Sequence, residues 1–121
     1  MSSPSKAKGT RWEREVADYL AEAIPGVDRI GSRDFGAGDL SVPWPIPHEC
    51  KAERQITLSE YVKQLKGIQE RLNAPAGVVV VKAPRKPVSE AYVVMTLEQW
   101  RSILPIVGDH LVNEMSDRER P

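Results

Sequence analysis

The run Val78-Val79-Val80-Val81 constrains the fold of this chain more than any other stretch. Four consecutive β-branched residues favour extended backbone. With no polar alternation, such a strand is apolar on both faces and belongs in the middle of a covered sheet. The flanking sequence supplies the cover. A first helix is expected from Thr10, with Trp12, Val16, Tyr19, Leu20 and Ile24 on one face and Pro25-Gly26 ending it. A second is expected from Thr57, with Thr57 and Glu60 spaced as a capping box and Leu58, Tyr61, Leu65, Ile68 and Leu72 inward. A third follows Thr96 and Gln99 and runs through Leu104. Further strands are expected at residues 27–32, 39–42, 48–53 and 91–95, with Pro43, Pro45 and Pro47 forcing an extended turn without ladder hydrogen bonds. The expected fold class is α/β, in the order α-β-β-β-α-β-β-α, with a mixed central sheet flanked by helices.

The length of 121 residues predicts a single domain, with residues 1–9 as a flexible basic arm and residues 114–121 as a frayed tail. Seventeen basic residues balance seventeen acidic ones, so the average charge does not advertise a nucleic-acid binder; local basic clusters are what meet phosphate. One cysteine excludes an intramolecular disulfide and a cysteine-based zinc site. There is no apolar run long enough for a membrane span and no signal-peptide core, so a cytoplasmic setting without membrane attachment is expected.

The chemistry-bearing residues cluster between Arg29 and Glu53. Gly38-Asp39-Leu40 opens one strand on a carboxylate, and Glu49-Cys50-Lys51 sits on the next. Residues two apart on a strand share a face, so Glu49 and Lys51 point into one pocket and Cys50 points away as a small buried hydrophobe. Two carboxylates on neighbouring strands suit a hard divalent cation. Lys51 is placed to orient water or to stabilise charge on a phosphate. Taken alone, such charged triplets mostly lie on solvated strands. Trp44, in the proline turn, is expected to be exposed.

Asp39 followed by Glu49-x-Lys51, together with Lys8-Gly9-Thr10-Arg11-Trp12-Glu13, Arg29-Ile30-Gly31-Ser32-Arg33 and Gly38-Asp39-Leu40, resembles the PD-(D/E)XK nucleases, and among them the archaeal and phage Holliday junction resolvases. The resemblance covers roughly residues 8 to 82. It implies a restriction-endonuclease-like core and a Mg²⁺-dependent endodeoxyribonuclease, with Mn²⁺ as substitute. Glu13, Asp39, Glu49 and the Cys50 backbone carbonyl would hold the metal. Lys51 would act on water or phosphate, Ser32 would lie near the scissile phosphate, and Gln64 would stand beside the site. The expected partners are branched or four-way DNA and a second copy of the chain. The chain departs from the family in its proline-rich turn at residues 43–47 and in carrying Gly38 where a proline usually precedes the motif aspartate. For Glu13 a second role stays open, since Thr10-x-x-Glu13 is also a capping box. DNA contacts are expected from Lys6, Lys8, Arg11 and Arg14, from Arg29, Arg33 and Arg54, and from Lys82, Arg85 and Lys86. Two other functions stay open: a flap, fork or general endonuclease, and a DNA-binding module without turnover.

Overall fold

The computed structural model describes residues 4–31 and 38–119, with side chains at 6–31 and 38–118. Ser32 and Arg33 lie outside the described residues. Three helices and five strands follow one another as α1 (Pro4–Ala21), β1 (Asp28–Arg29), β2 (Leu40–Ser41), β3 (His48–Lys51), α2 (Leu58–Leu72), β4 (Val78–Val81), β5 (Tyr92–Val94) and α3 (Leu97–Glu119). A 3-10 turn, Val88–Glu90, sits between β4 and β5. The sheet order is β1-β2-β3-β4-β5. β1, β2 and β3 form an antiparallel meander, α2 crosses to β4 parallel to β3, and β5 returns antiparallel. The fold is therefore α/β with a mixed sheet.

All four β4 valines are buried, as their sequence demands. Val78 and Val80 pack with Trp12, Val16 and Ala17 of α1, while Val79 and Val81 pack with Tyr61 and Leu65 of α2. One helix thus covers each face, and the register pairing Glu49 with Val79, Cys50 with Val80 and Lys51 with Val81 assigns the β3 side chains. Cys50 turns into the α1 layer, and Glu49 and Lys51 turn toward α2. Trp12 adds a directional tie, its indole Nε1–H donating to the Val80 carbonyl at 3.2 Å.

Several expected boundaries move. α1 begins at Pro4, six residues before Thr10, because proline is well tolerated in a first helical turn. Thr10 and Glu13 are therefore helix-interior residues, and Glu13 has no capping role. Tyr19 is exposed. Thr57 makes no side-chain cap on α2, and Leu58 and Leu72, at the helix ends, are exposed beyond the sheet; the buried α2 stripe is Tyr61, Leu65 and Ile68. Thr96 does cap α3, its Oγ1 accepting the Gln99 amide at 3.2 Å. α3 continues through Pro105 to Glu119, so the expected frayed tail is helical as far as described. Within the proline turn the Ile46 amide donates to the Trp44 carbonyl at 2.8 Å, and the Pro47 carbonyl accepts from Val78 at 3.0 Å. Pro47 thus adds its carbonyl to the β3–β4 pairing, where the proline turn had been expected to make no ladder hydrogen bonds.

Candidate active site

Asp39 is fixed by its backbone before its side chain does anything. Its amide donates to the His48 carbonyl at 2.8 Å and its carbonyl accepts from Ile30 at 3.0 Å, which pins it between the strands on either side. The preceding Gly38 has φ +93°, and a Cβ there would lie 3.3 Å from the His48 carbonyl oxygen. Proline, with φ held near −65°, has no access to that conformation, so the glycine departure follows from the path of the chain. The Asp39 side chain then bridges to β3, where Oδ2 accepts the Cys50 amide at 2.8 Å. Amide and carbonyl of one strand residue share an edge, which puts the Cys50 carbonyl on the Asp39 side of β3.

Glu13 comes from α1, Asp39 from the approach to β2 and Glu49 from β3, and all three line one open cleft of about 820 Å³. The far wall is α2, through Glu60, Lys63, Gln64, Gly67, Ile68 and Arg71. Lys6, Thr10 and Glu13 recur every three or four residues and bring one side of α1 to the cleft. Lys6, Arg29, Lys63 and Arg71 are the lining cations, and Glu13, Asp39, Glu49 and Glu60 the lining carboxylates, four of each sign.

Burial raises the Asp39 carboxyl to about 6; the Cys50 amide opposes the rise, the neighbouring Glu13 adds to it and Lys51 opposes it. Burial, reinforced by the Asp39 charge, raises Glu49 to about 7, against the pull of Lys51 and Arg71. The Cys50 thiol is pushed up by burial and by the same carboxylates, so it stays protonated and unreactive. His48 is pushed below its ordinary value by burial, and its Nδ1 lies 2.7 Å from the Ile46 carbonyl, the geometry of a neutral ring donating from Nδ1.

Arg29 is engaged rather than free. Its Nε and Nη2 donate to the same Glu13 oxygen, Oε2, at 3.1 and 3.0 Å in a half-buried pair. Lys51 does not line the cleft; its ammonium lies over the Tyr61 ring, 5.6 Å from the centroid, close enough to act on both Asp39 and Glu49.

Among the described residues, no three His, Cys, Asp or Glu side chains are gathered into a set that holds a metal by itself. Magnesium asks for less, taking one or two carboxylates and keeping several waters. Asp39 and Glu49 fit that demand as hard oxygen donors lining one cleft.

Of the other expected DNA contacts among the described residues, only Lys6 and Arg29 reach the cleft. Lys8 and Arg11 are exposed elsewhere on α1, and Arg54 is exposed in the loop after β3. Arg14 pairs with Asp28 at 3.2 Å. Lys82 covers the Trp12 ring in the α1 layer, Lys86 pairs with Glu90, and Arg85 sits in a left-handed turn at φ +62°. Lys63 and Arg71 were missed, although Glu60, Lys63, Gly67 and Arg71 carry a helical spacing that reads as a second, polar stripe beside the buried one. Trp44 is exposed, as expected, and lines a small apolar groove with Leu40, Val42, Ile46 and Leu72. Comparison of the chain with protein-family models, with curated proteins and with solved structures gave no match.

Proposed function

We propose that this protein is a Mg²⁺-dependent endodeoxyribonuclease acting on branched DNA, the four-way junction foremost. One observation carries the reading: Glu13, Asp39 and Glu49 come from three separate elements to one cleft, with Lys51 beside them and cations at its rim. The junction preference rests on the resemblance of residues 8–15 and 29–32 to the resolvases.

Asp39 and Glu49 would hold the metal, with the Cys50 carbonyl on the adjoining edge, and Mn²⁺ would substitute. When bound, the ion supplies Lewis-acid polarisation of the phosphate and acidification of water. The protein does the rest by position. The Cys50 amide and the strand ladder hold Asp39 still. Lys51 places a positive charge on the Glu49 face, where charge builds on the phosphate. Lys6, Lys63 and Arg71 meet flanking phosphates, which sets orientation without reading sequence. Gln64 offers an amide to substrate or water from the α2 wall. Four lining cations stand against four lining carboxylates, and a divalent cation on Asp39 and Glu49 would tip the cleft toward DNA. The products are 5′-phosphate and 3′-hydroxyl ends.

A second reading, DNA binding without turnover, draws on Arg29 occupying a Glu13 oxygen. Cleavage of labelled four-way, forked and linear DNA in Mg²⁺ separates the two. Wild type is expected to cut the junction, and Asp39→Ala and Lys51→Ala to lose about 10²-fold or more of the rate while still binding. Binding with no cutting in any metal favours the second reading. Cutting that persists in Asp39→Ala sinks the site assignment, and equal cutting of linear duplex sinks the junction preference.

A further inference from the structure

Trp44 is 55% exposed within the proline turn, and the turn holds it there stiffly. Proline at 43 and at 45 fixes φ on either side of it, and the Ile46 amide donates to its carbonyl at 2.8 Å. Both ends of the turn are anchored in the sheet, Leu40 pairing with His48 and the Pro47 carbonyl accepting the Val78 amide at 3.0 Å. A ring presented on a rigid loop loses little conformational freedom when it meets a partner. The turn is also where the chain departs from the resolvases it resembles, so the resemblance assigns it no role.

Trp44 forms one wall of a groove of about 190 Å³, with Ile30, Val42, Ile46 and Leu72 around it. Among the described residues, none that lines the groove is charged, and Ser41 alone is polar. A drug-sized ligand needs about 300 Å³ or more. This groove fits one flat ring. It also adjoins the cleft. Arg29 and Ile30, Asp39 and Leu40, and Arg71 and Leu72 are chain neighbours, and in each pair the first residue lines the cleft and the second the groove. Consecutive Cα atoms are about 3.8 Å apart, so cleft and groove share a border at all three places. Arg29 and Arg71 bring positive charge to that border, where the phosphates of an entering strand would lie.

We propose that Trp44 stacks on a nucleobase freed at the branch point of DNA held in the cleft, with the groove taking the edge of that base and Arg71 a phosphate beside it. The proposal rests on the branched-DNA reading of the cleft and names a residue that selects the branch. An aromatic face next to cations is the combination that holds unpaired nucleotides, because every base offers a π-face and every nucleotide a charge. In linear duplex each base is stacked on both sides, and withdrawing one is costly. Where strands cross, bases at the exchange point lose a stacking neighbour, so Trp44 gains a partner at smaller cost. Trp44 therefore adds affinity for the branch and little for duplex.

The test is fluorescence anisotropy of the full chain on a labelled four-way junction and on linear duplex, with Ca²⁺ in place of Mg²⁺ so that binding is read apart from cutting. Trp44→Ala is expected to bind the junction about tenfold more weakly while its duplex affinity stays that of wild type, and Trp44→Phe to recover most of the loss. Far-ultraviolet dichroism checks that each variant folds. Should Trp44→Ala not fold, tryptophan emission gives a second reading. In a Trp100→Phe chain Trp44 is the one exposed indole, Trp12 being buried, and the junction quenches its emission where duplex does not. Equal junction affinity in wild type and Trp44→Ala, or emission that the junction leaves unchanged, overturns the stacking and leaves the cleft reading in place. A wild type that binds the junction no better than duplex overturns the branched-DNA reading and this proposal with it. A Trp44→Ala chain that sediments at half the wild-type mass gives the groove to a second copy and overturns the proposal too.

Discussion

Gly38 and Asp39 show how much of the site is decided by single residues. The left-handed turn at Gly38 delivers Asp39 to the Cys50 amide, and any side chain at 38 is both strained and pressed against His48. Gly38→Ala is expected to cost about 1 kcal/mol or more in urea denaturation and to slow cutting by displacing Asp39. The Asp39 and Glu49 carboxyls impose a second, pH-dependent cost. Their pKa values rise from 3.8 to about 6 and from 4.5 to about 7 on folding, so between those limits the folded chain holds protons that the unfolded chain has released. Stability without metal therefore falls as pH rises through that window, by an amount on the order of 1–3 kcal/mol. Asp39→Asn keeps an acceptor for the Cys50 amide and removes one charge. It should be more stable than wild type above about pH 7 in chelator; a less stable Asp39→Asn under those conditions contradicts the assigned electrostatics. Glu49 and Lys51 were legible as sharing one face because strand alternation sets it, although of the two only Glu49 lines the cleft; Asp39 precedes β2 and is placed by Gly38 and the Cys50 amide. Glu13 was ambiguous because a capping box and a cleft carboxylate share one spacing, and only the Pro4 start of α1 separates them.

At the scale of elements, α2 has two working sides. Tyr61, Leu65 and Ile68 seal the sheet, while Lys63, Gln64, Gly67 and Arg71 form the cleft wall. Of the cleft side only Gln64 was expected, through the family resemblance, because polar residues on a helix are ordinarily solvent-facing and their clustering shows only once β3 and α1 are placed opposite. Lys63→Gln and Arg71→Gln should each weaken DNA binding across all sequences and lower the salt slope by about one, measured by fluorescence anisotropy. Lys86→Gln, paired with Glu90 away from the cleft, should leave the slope unchanged. β4 was fully legible, since an unbroken valine run has one physical solution in a small α/β domain. α3 was legible only as far as Leu104, because Pro105 reads as a stop, yet the helix runs through it to Glu119.

For the whole molecule, the architecture separates two kinds of surface. One edge of the sheet, with α1 and α2, gathers carboxylates and cations into the cleft. The other edge, β5 with α3, carries exposed apolar side chains such as Val93, Leu97 and Ile106. Burial of Asp39 and Glu49 makes the cleft costly as charge, and under the proposed function a divalent cation held by the two would offset that cost. The most direct test is single-turnover cutting of a labelled four-way junction in Mg²⁺, comparing wild type with Asp39→Asn, whose fold is checked by dichroism. The account predicts cutting by wild type that chelator abolishes and that Asp39→Asn lacks at unchanged junction affinity. Undiminished cutting by Asp39→Asn, or wild-type cutting in chelator, would contradict it.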